Sequence, residues 1–264
     1  MLLLHITQTQ LDVCMNHSND APARTNIFVD LIDIIAAPGQ ALRRISFYPR
    51  SWWFPALLAI LSALLLLWVN LPFLMEQAQK VMQLQLANQN LTPEQLEATQ
   101  QIVDRLKEPM IMFLQSVIGT LLGLLLAWAF STLFVFLSAS IAGANPKAGS
   151  MWALVVWTWI PFVVRNLVYS VFGIFSDTFA RSPGLSYFVS TGDLLEDSQN
   201  PVYVAAAQVD IFSLWHVILI YLLLRVAANM GRGGAITITI LYALVNVGLR
   251  AGMSQLSGLF GGGG

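Results

Sequence analysis

The chain has 264 residues, 56% of them hydrophobic and 10% charged, with a net charge of −1 and a mean hydropathy of +0.68. Soluble domains carry about 25% charged residues, so much of this surface is expected to face lipid. The charge balance excludes the basic face of a nucleic-acid-binding domain. A single cysteine, Cys14, excludes an intramolecular disulfide and any cysteine-rich metal site.

Residues 1–25 read as a disordered leader. Met15 opens an ordinary polar start, MNHSNDAPARTN, and is an alternative initiation point that would leave Cys14 outside the native protein. Residues 26–51 read as an amphipathic interfacial segment. Asn26 caps a short helix in which Asp30 and Asp33 share a face, and Pro38-Gly39 ends it. Arg43, Arg44, Arg50, Trp52 and Trp53 then combine positive charge with amphipathic rings just before an apolar run. That is the composition of an anchor at the cytoplasmic membrane–water interface.

Residues 52–259 read as an all-α membrane domain of five transmembrane helices. A span needs about 20 apolar residues to cross roughly 30 Å of hydrocarbon. The expected spans are Trp53–Leu74, Ile111–Ser138, Trp152–Phe175, Ile211–Met230 and Ala235–Leu256. Between the first two, residues 75–109 predict an outside helical hairpin. Asn88-Gln-Asn90 supplies its turn, Thr92 and Gln95 form a capping box, and Pro93 takes the first helical position. Gly119-xxx-Gly123 and Gly248-xxx-Gly252 permit close helix approach. Asp177–Gln208, with Pro183, Gly184 and Pro201, predicts an irregular loop, and Gly231-Arg232-Gly233-Gly234 the tight turn between the last two spans. Residues 260–264 are a glycine tail.

An N-terminus inside places six basic residues (Arg24, Arg43, Arg44, Arg50, Lys147, Arg232) in the cytoplasm, against Lys80, Arg105, Lys107 and Arg181 outside. The C-terminus then lies outside, and the cell inner membrane is the expected location.

Arg165, His216, Arg225 and Arg250 fall inside predicted spans, where charge is expensive and marks a functional hypothesis. At about 1.5 Å per residue, Arg165 lies roughly 15 Å from the outer end of its span, and His216 and Arg250 roughly 9 Å from theirs. With Asn166 and Asn246 they form a candidate site for a small anion or lipid headgroup. The bland alternative is that the arginines bond helix carbonyls or Asp210 while Arg225 snorkels inward. Asp210, Ser213 and His216 invite a catalytic-triad reading, but six residues at about 100° each put Asp210 and His216 on different helix faces. The sequence also holds no HExxH, Gly-rich phosphate loop or GxSxG.

Three stretches carry a family resemblance: IIAAPGQALRRISFYPRSWWFPALLAI, the third span's VVWTWIPFVV, and Asp210-Ile-Phe-Ser-Leu-Trp215 followed by MGRGGA. Over about residues 30–255 the chain resembles the Yip family of Rab/Ypt-GTPase-interacting five-span membrane proteins, in its prokaryotic form. The resemblance implies five helices, a cytoplasmic N-terminus and residence in a membrane. The Asp-Leu-Tyr-Gly-Pro type motif of eukaryotic members is absent here, so no Rab-binding residue carries over.

The expected function is therefore non-enzymatic: membrane organisation or partner recruitment. Membrane lipids are its surroundings, and protein partners are expected at the N-terminal segment or the outside hairpin. No cofactor, metal or nucleic acid is expected. The alternative is a small-molecule or anionic-lipid transporter component built on the intramembrane basic site. A membrane-embedded hydrolase is a third reading, which lacks a nucleophile and base on one face.

Overall fold

A computed structural model describes residues 22–23, 26–88, 108–176 and 183–261. The expected leader and the hairpin's turn and second arm, with Thr92 and Gln95, lie outside the described residues.

Asn26 accepts from the Phe28 amide at 3.2 Å and starts α1 (Ile27–Ala36). Pro38 does more than end it. The missing proline N–H costs nothing at a first helical position, and Pro38 opens α2 (Pro38–Phe47). The two helices fold against each other through Ile34, Ala41, Leu42 and Ile45, all 1% exposed or less. Arg44 crosses between them to Asp30 (2.9 Å) and Asp33 (2.5 Å). The outward face of α1 is apolar instead: Phe28, Ile32 and Ile35 are all exposed.

After a 3₁₀ turn, Pro49–Trp52, the first membrane helix α3 runs Trp53–Asn88. Its 36 residues reach about 54 Å at 1.5 Å each, so it leaves the bilayer as expected, with Asn88 still helical. Then α4 (Pro109–Ile141) begins at its proline. The third span consists of α5 (Ala148–Trp157) and α6 (Ile160–Ser176), interrupted at Thr158-Trp159. This span is the axis of the bundle. Its window is 61% buried, against 17% for the first and second spans and 22% for the last. The poorly buried spans present their remaining apolar surface to lipid, as Leu114, Ile118, Leu122 and Leu125 do along α4.

The segment expected to be irregular is ordered by local caps. It contains a 3₁₀ turn (Gly184–Phe188), α7 (Leu194–Gln199) and α8 (Pro201–Ala207). Asn200 accepts from the amides of Val202 and Tyr203, and Pro201 sits at a first helical position rather than breaking a helix. Gly184 has φ +61°, and a side chain there would collide with the Val209 carbonyl, which accepts from Leu185. Asp197 holds the Ser190–Gly192 turn, accepting from Ser190 Oγ at 2.5 Å and from Thr191 N at 2.8 Å and Oγ1 at 3.0 Å. Burial alone would raise the Asp197 pKa, but these hydrogen bonds outweigh it and hold it below its ordinary 3.8. A depressed folded-state pKa means the contribution is present above the unfolded value and lost as pH falls through the folded one. Limited pepsin digestion should therefore show cleavage at 190–200 appearing as the pH drops from 4 towards 2, and Asp197→Asn should show the same cleavage at pH 4. An unchanged cleavage pattern would refute this.

Asp210 caps α9 (Ile211–Val226) by accepting from Ser213 N at 2.6 Å. Together α8 and α9 are bent by 67° and supply the fifth apolar span beside four long helices. The turn that follows is Ala227–Gly231 rather than the glycine cluster. Asn229 takes φ 51°, and the Arg225 guanidinium donates to the Met230 carbonyl. Consequently α10 (Arg232–Gly261) already starts at Arg232. All elements are helical among the described residues, with four helices long and apolar enough to cross a membrane and a fifth span if α8 and α9 count as one.

The glycine pairs contribute nothing to packing inside the chain. A methyl group added at Gly119, Gly123, Gly248 or Gly252 meets open space. The close approach occurs at Gly173, where such a group would lie 2.8 Å from Val69 of α3.

Candidate functional site: a polar network and its cavity

Pro161 determines the centre of the bundle. Its missing N–H leaves the Trp157 carbonyl, four residues back, without a ladder donor; the helix breaks there, and the Phe162 amide bonds the Trp159 carbonyl (2.9 Å) rather than Thr158. The Thr158 hydroxyl donates to Val155 O at 2.7 Å, and with the Phe162 amide on Trp159 the Thr158 carbonyl oxygen has no ladder partner at membrane depth. A backbone group there must find one within the protein. His216 of α9 supplies it, with Nδ1 2.7 Å from Thr158 O.

A carbonyl only accepts, so Nδ1–H donates, and in the neutral ring Nε2 must then accept. Tyr242 of α10 lies 2.9 Å from Nε2 and donates its hydroxyl proton. That proton being committed, Ser131 of α4, 2.9 Å away, donates to the Tyr242 oxygen. The chain Ser131→Tyr242→His216→Thr158 thus has one direction and ties four helices. His216 is 4% exposed, and Trp159, Phe162 and Tyr242 enclose its ring.

Beside this network a cavity of about 150 Å³ opens between α6, α9 and α10, lined by His216, Tyr242, Asn246, Arg250, Trp159 and Phe162 among others. Of the five residues expected to form one site, His216, Asn246 and Arg250 share this cavity. Asn246 also donates to its own helix at Tyr242 O (2.8 Å). The other two lie elsewhere. Arg165 stacks over Phe162 (4.7 Å) and reaches Asp210 at 3.5 Å. Asn166 points to the first span, donating to Ser62 at 3.3 Å. Asp210 and Ser213 meet through a helix cap, and neither bonds His216 in a triad.

Residues 32–250 match the family model of the Yip1 domain. The chain belongs to the Yip family. No curated protein and no solved structure matches it. Family membership and the apolar helices together make this an integral membrane protein of Yip type.

The interfacial set of this Yip protein also divides. Arg44 is paired with Asp30 and Asp33. Burial alone would lower its pKa, but the hydrogen bonds and charges of those two acids hold it above the ordinary arginine range. Trp52 packs edge-on against Trp152 of α5 at 6.0 Å, and Trp53 against Phe54 at 5.8 Å. Arg50 and Trp53 line a cavity of about 390 Å³ with Asp30 and Arg44, and Arg43 lines a second of about 840 Å³ with Lys147. Thr158, Tyr242 and Ser131 did not stand out as polar residues in apolar runs. The signal that points to them is Pro161, which frees a carbonyl, together with a histidine that needs two partners once buried.

Proposed function

We propose that this Yip protein acts without catalysis, as a membrane organiser whose N-terminal helical hairpin faces the cytoplasm and presents a docking platform. The observation that supports this most is how the intramembrane polar groups are used. Ser131, Tyr242, His216 and Thr158 bond one another, Asn166 bonds Ser62, Arg225 bonds Met230 O, and Arg165 pairs with Asp210. All but the local Arg225 bond tie separate spans together and brace a frame. Sidedness follows the charge: Arg43, Arg50, Lys147 and Arg232 lie at the hairpin end, and Asp193, Glu196 and Asp197 at the other.

The second reading, a component that moves an anion or anionic lipid, is favoured by Arg250 in the cavity wall. Proteoliposomes separate the two. The organiser reading expects flux of small anions and flip rates of labelled anionic lipid no faster than in protein-free vesicles. Flux above that background, lost in Arg250→Gln, would replace it with the transporter reading.

A further inference from the structure

The geometry points to a resident lipid: we propose that the cavity beside His216 holds one acyl chain of an anionic membrane lipid, with its headgroup paired to Arg250. This stands apart from the organiser reading, since a bound structural lipid requires no transport.

Depth supports it first. Arg250 lies roughly 27 Å along α10 from Arg232 at about 1.5 Å per residue, close to one hydrocarbon thickness from the hairpin-end boundary. That places the guanidinium at the opposite headgroup level. Asn246 sits one turn deeper and Tyr242 two turns deeper, so one wall of the cavity runs from the interface towards the bilayer centre.

Lining chemistry supports it second. The deeper walls are apolar: Ala127 from α4, Trp159 and Phe162 from the third span, Leu214 and Val217 from α9, Ala243 and Val247 from α10. Gln208, just before α9, stands with Arg250 at the loop end. An apolar slot with polar groups at one end fits a chain attached to a head, not a free hydrated ion.

Unmet bonding supports it third. Arg250 has no hydrogen bond or ion pair among the described residues, and the neighbouring Arg165 is of like charge. At the headgroup level an unpaired guanidinium attracts anionic lipid, so an anionic headgroup is the complement this position calls for. Trp159 also lines the cavity, and its buried indole N–H has no partner among the described residues.

The test uses delipidated full-length protein in detergent, with thermal stability and native mass spectrometry as readouts. Phosphatidylglycerol, phosphatidylcholine with the same chains, and inorganic phosphate are added separately. Phosphatidylglycerol should raise the melting temperature in proportion to dose and appear as a one-lipid adduct. Phosphatidylcholine should bind more weakly, and phosphate should shift nothing. Arg250→Gln should weaken phosphatidylglycerol binding about ten- to a hundredfold, the worth of one charge-assisted hydrogen bond, while lipid-free melting stays close to wild type. Ala243→Leu and Ala127→Leu fill the slot from opposite walls, and whichever folds should also lose the adduct. Equal binding of the two lipids, or wild-type binding in Arg250→Gln, would mean general lipid solvation and overturn the proposal. A shift with phosphate alone would make this a free-anion site and overturn it equally.

Discussion

His216→Ala should destabilise the bundle by about 2–4 kcal/mol. It removes two interhelical hydrogen bonds, each worth roughly 0.6 kcal/mol on average and up to about 1.7 in membrane proteins. It also opens a void among Trp159, Phe162 and Tyr242 and strands the Thr158 carbonyl, and an unsatisfied buried polar group costs about 1–3 kcal/mol. The origin of that stranded carbonyl gives the decisive control. If Pro161 creates the need that His216 meets, Pro161→Ala lets the Phe162 amide return to Thr158 O, and the second partner becomes redundant. In a double-mutant cycle, His216→Ala should therefore cost about 1–2 kcal/mol less in the Pro161→Ala background. Unfolding in mixed micelles by increasing anionic detergent would measure all four corners. Strictly additive effects would mean that the proline and the histidine are unrelated, and that the network adds little beyond packing.

The same pair shows how much of the fold was legible in the sequence. Span positions were readable because lipid imposes one demand on every residue of a crossing helix, and run length reports it. The third span's central place was not readable, since its apolarity resembles that of its lipid-facing neighbours; only packing distinguishes them. Caps were readable where a side chain acts within its own turn, as Asn26 and Asp210 do. They were incompletely read at prolines: Pro38 ends α1 as expected but also starts α2, and Pro201, expected in an irregular loop, starts α8. For the site, depth arithmetic brought His216 and Arg250 to one half of the bundle with Asn246 beside them, and the three share a cavity. It could not supply rotation about the third-span axis, so Arg165 and Asn166, adjacent in sequence, leave in different directions towards Asp210 and Ser62. Glycine spacing likewise does not report which glycine packs within the chain. Gly119 and Gly123 satisfy the pattern yet meet open space, whereas the unpatterned Gly173 takes the contact with Val69.

Arg44→Ala should loosen the N-terminal hairpin by about 2 kcal/mol, and the reason lies in what it leaves behind. Removing one partner of a fully buried ion pair costs about 3–5 kcal/mol, because the other charge stays unpaired. Here the side chains of Arg44, Asp30 and Asp33 are 12%, 11% and 25% exposed, so water screens part of that penalty and the lower figure applies. Neutralising the acids in the same background, Asp30→Asn with Asp33→Asn, should recover most of the loss by removing the stranded charges. Arg44→Lys should not, because one guanidinium reaches two carboxylates through separate N–H groups and an ammonium cannot reproduce that fork. The sign with pH is fixed as well. A raised folded-state pKa gives a contribution that is complete below the unfolded value and lost only as pH rises through the folded one. For Arg44 that lies above the already high arginine range, so its own ionisation leaves the pair intact throughout neutral and mildly alkaline conditions. Hydrogen exchange over residues 27–47, compared among wild type, Arg44→Ala, Arg44→Lys and the triple variant, reads the effect where it occurs. Equal protection in Arg44→Ala and wild type would mean that Ile34, Leu42 and Ile45 hold the hairpin without the ion pair. Faster exchange restored by the asparagines would establish that the outward apolar face of α1 is held in place by charges on its inward one.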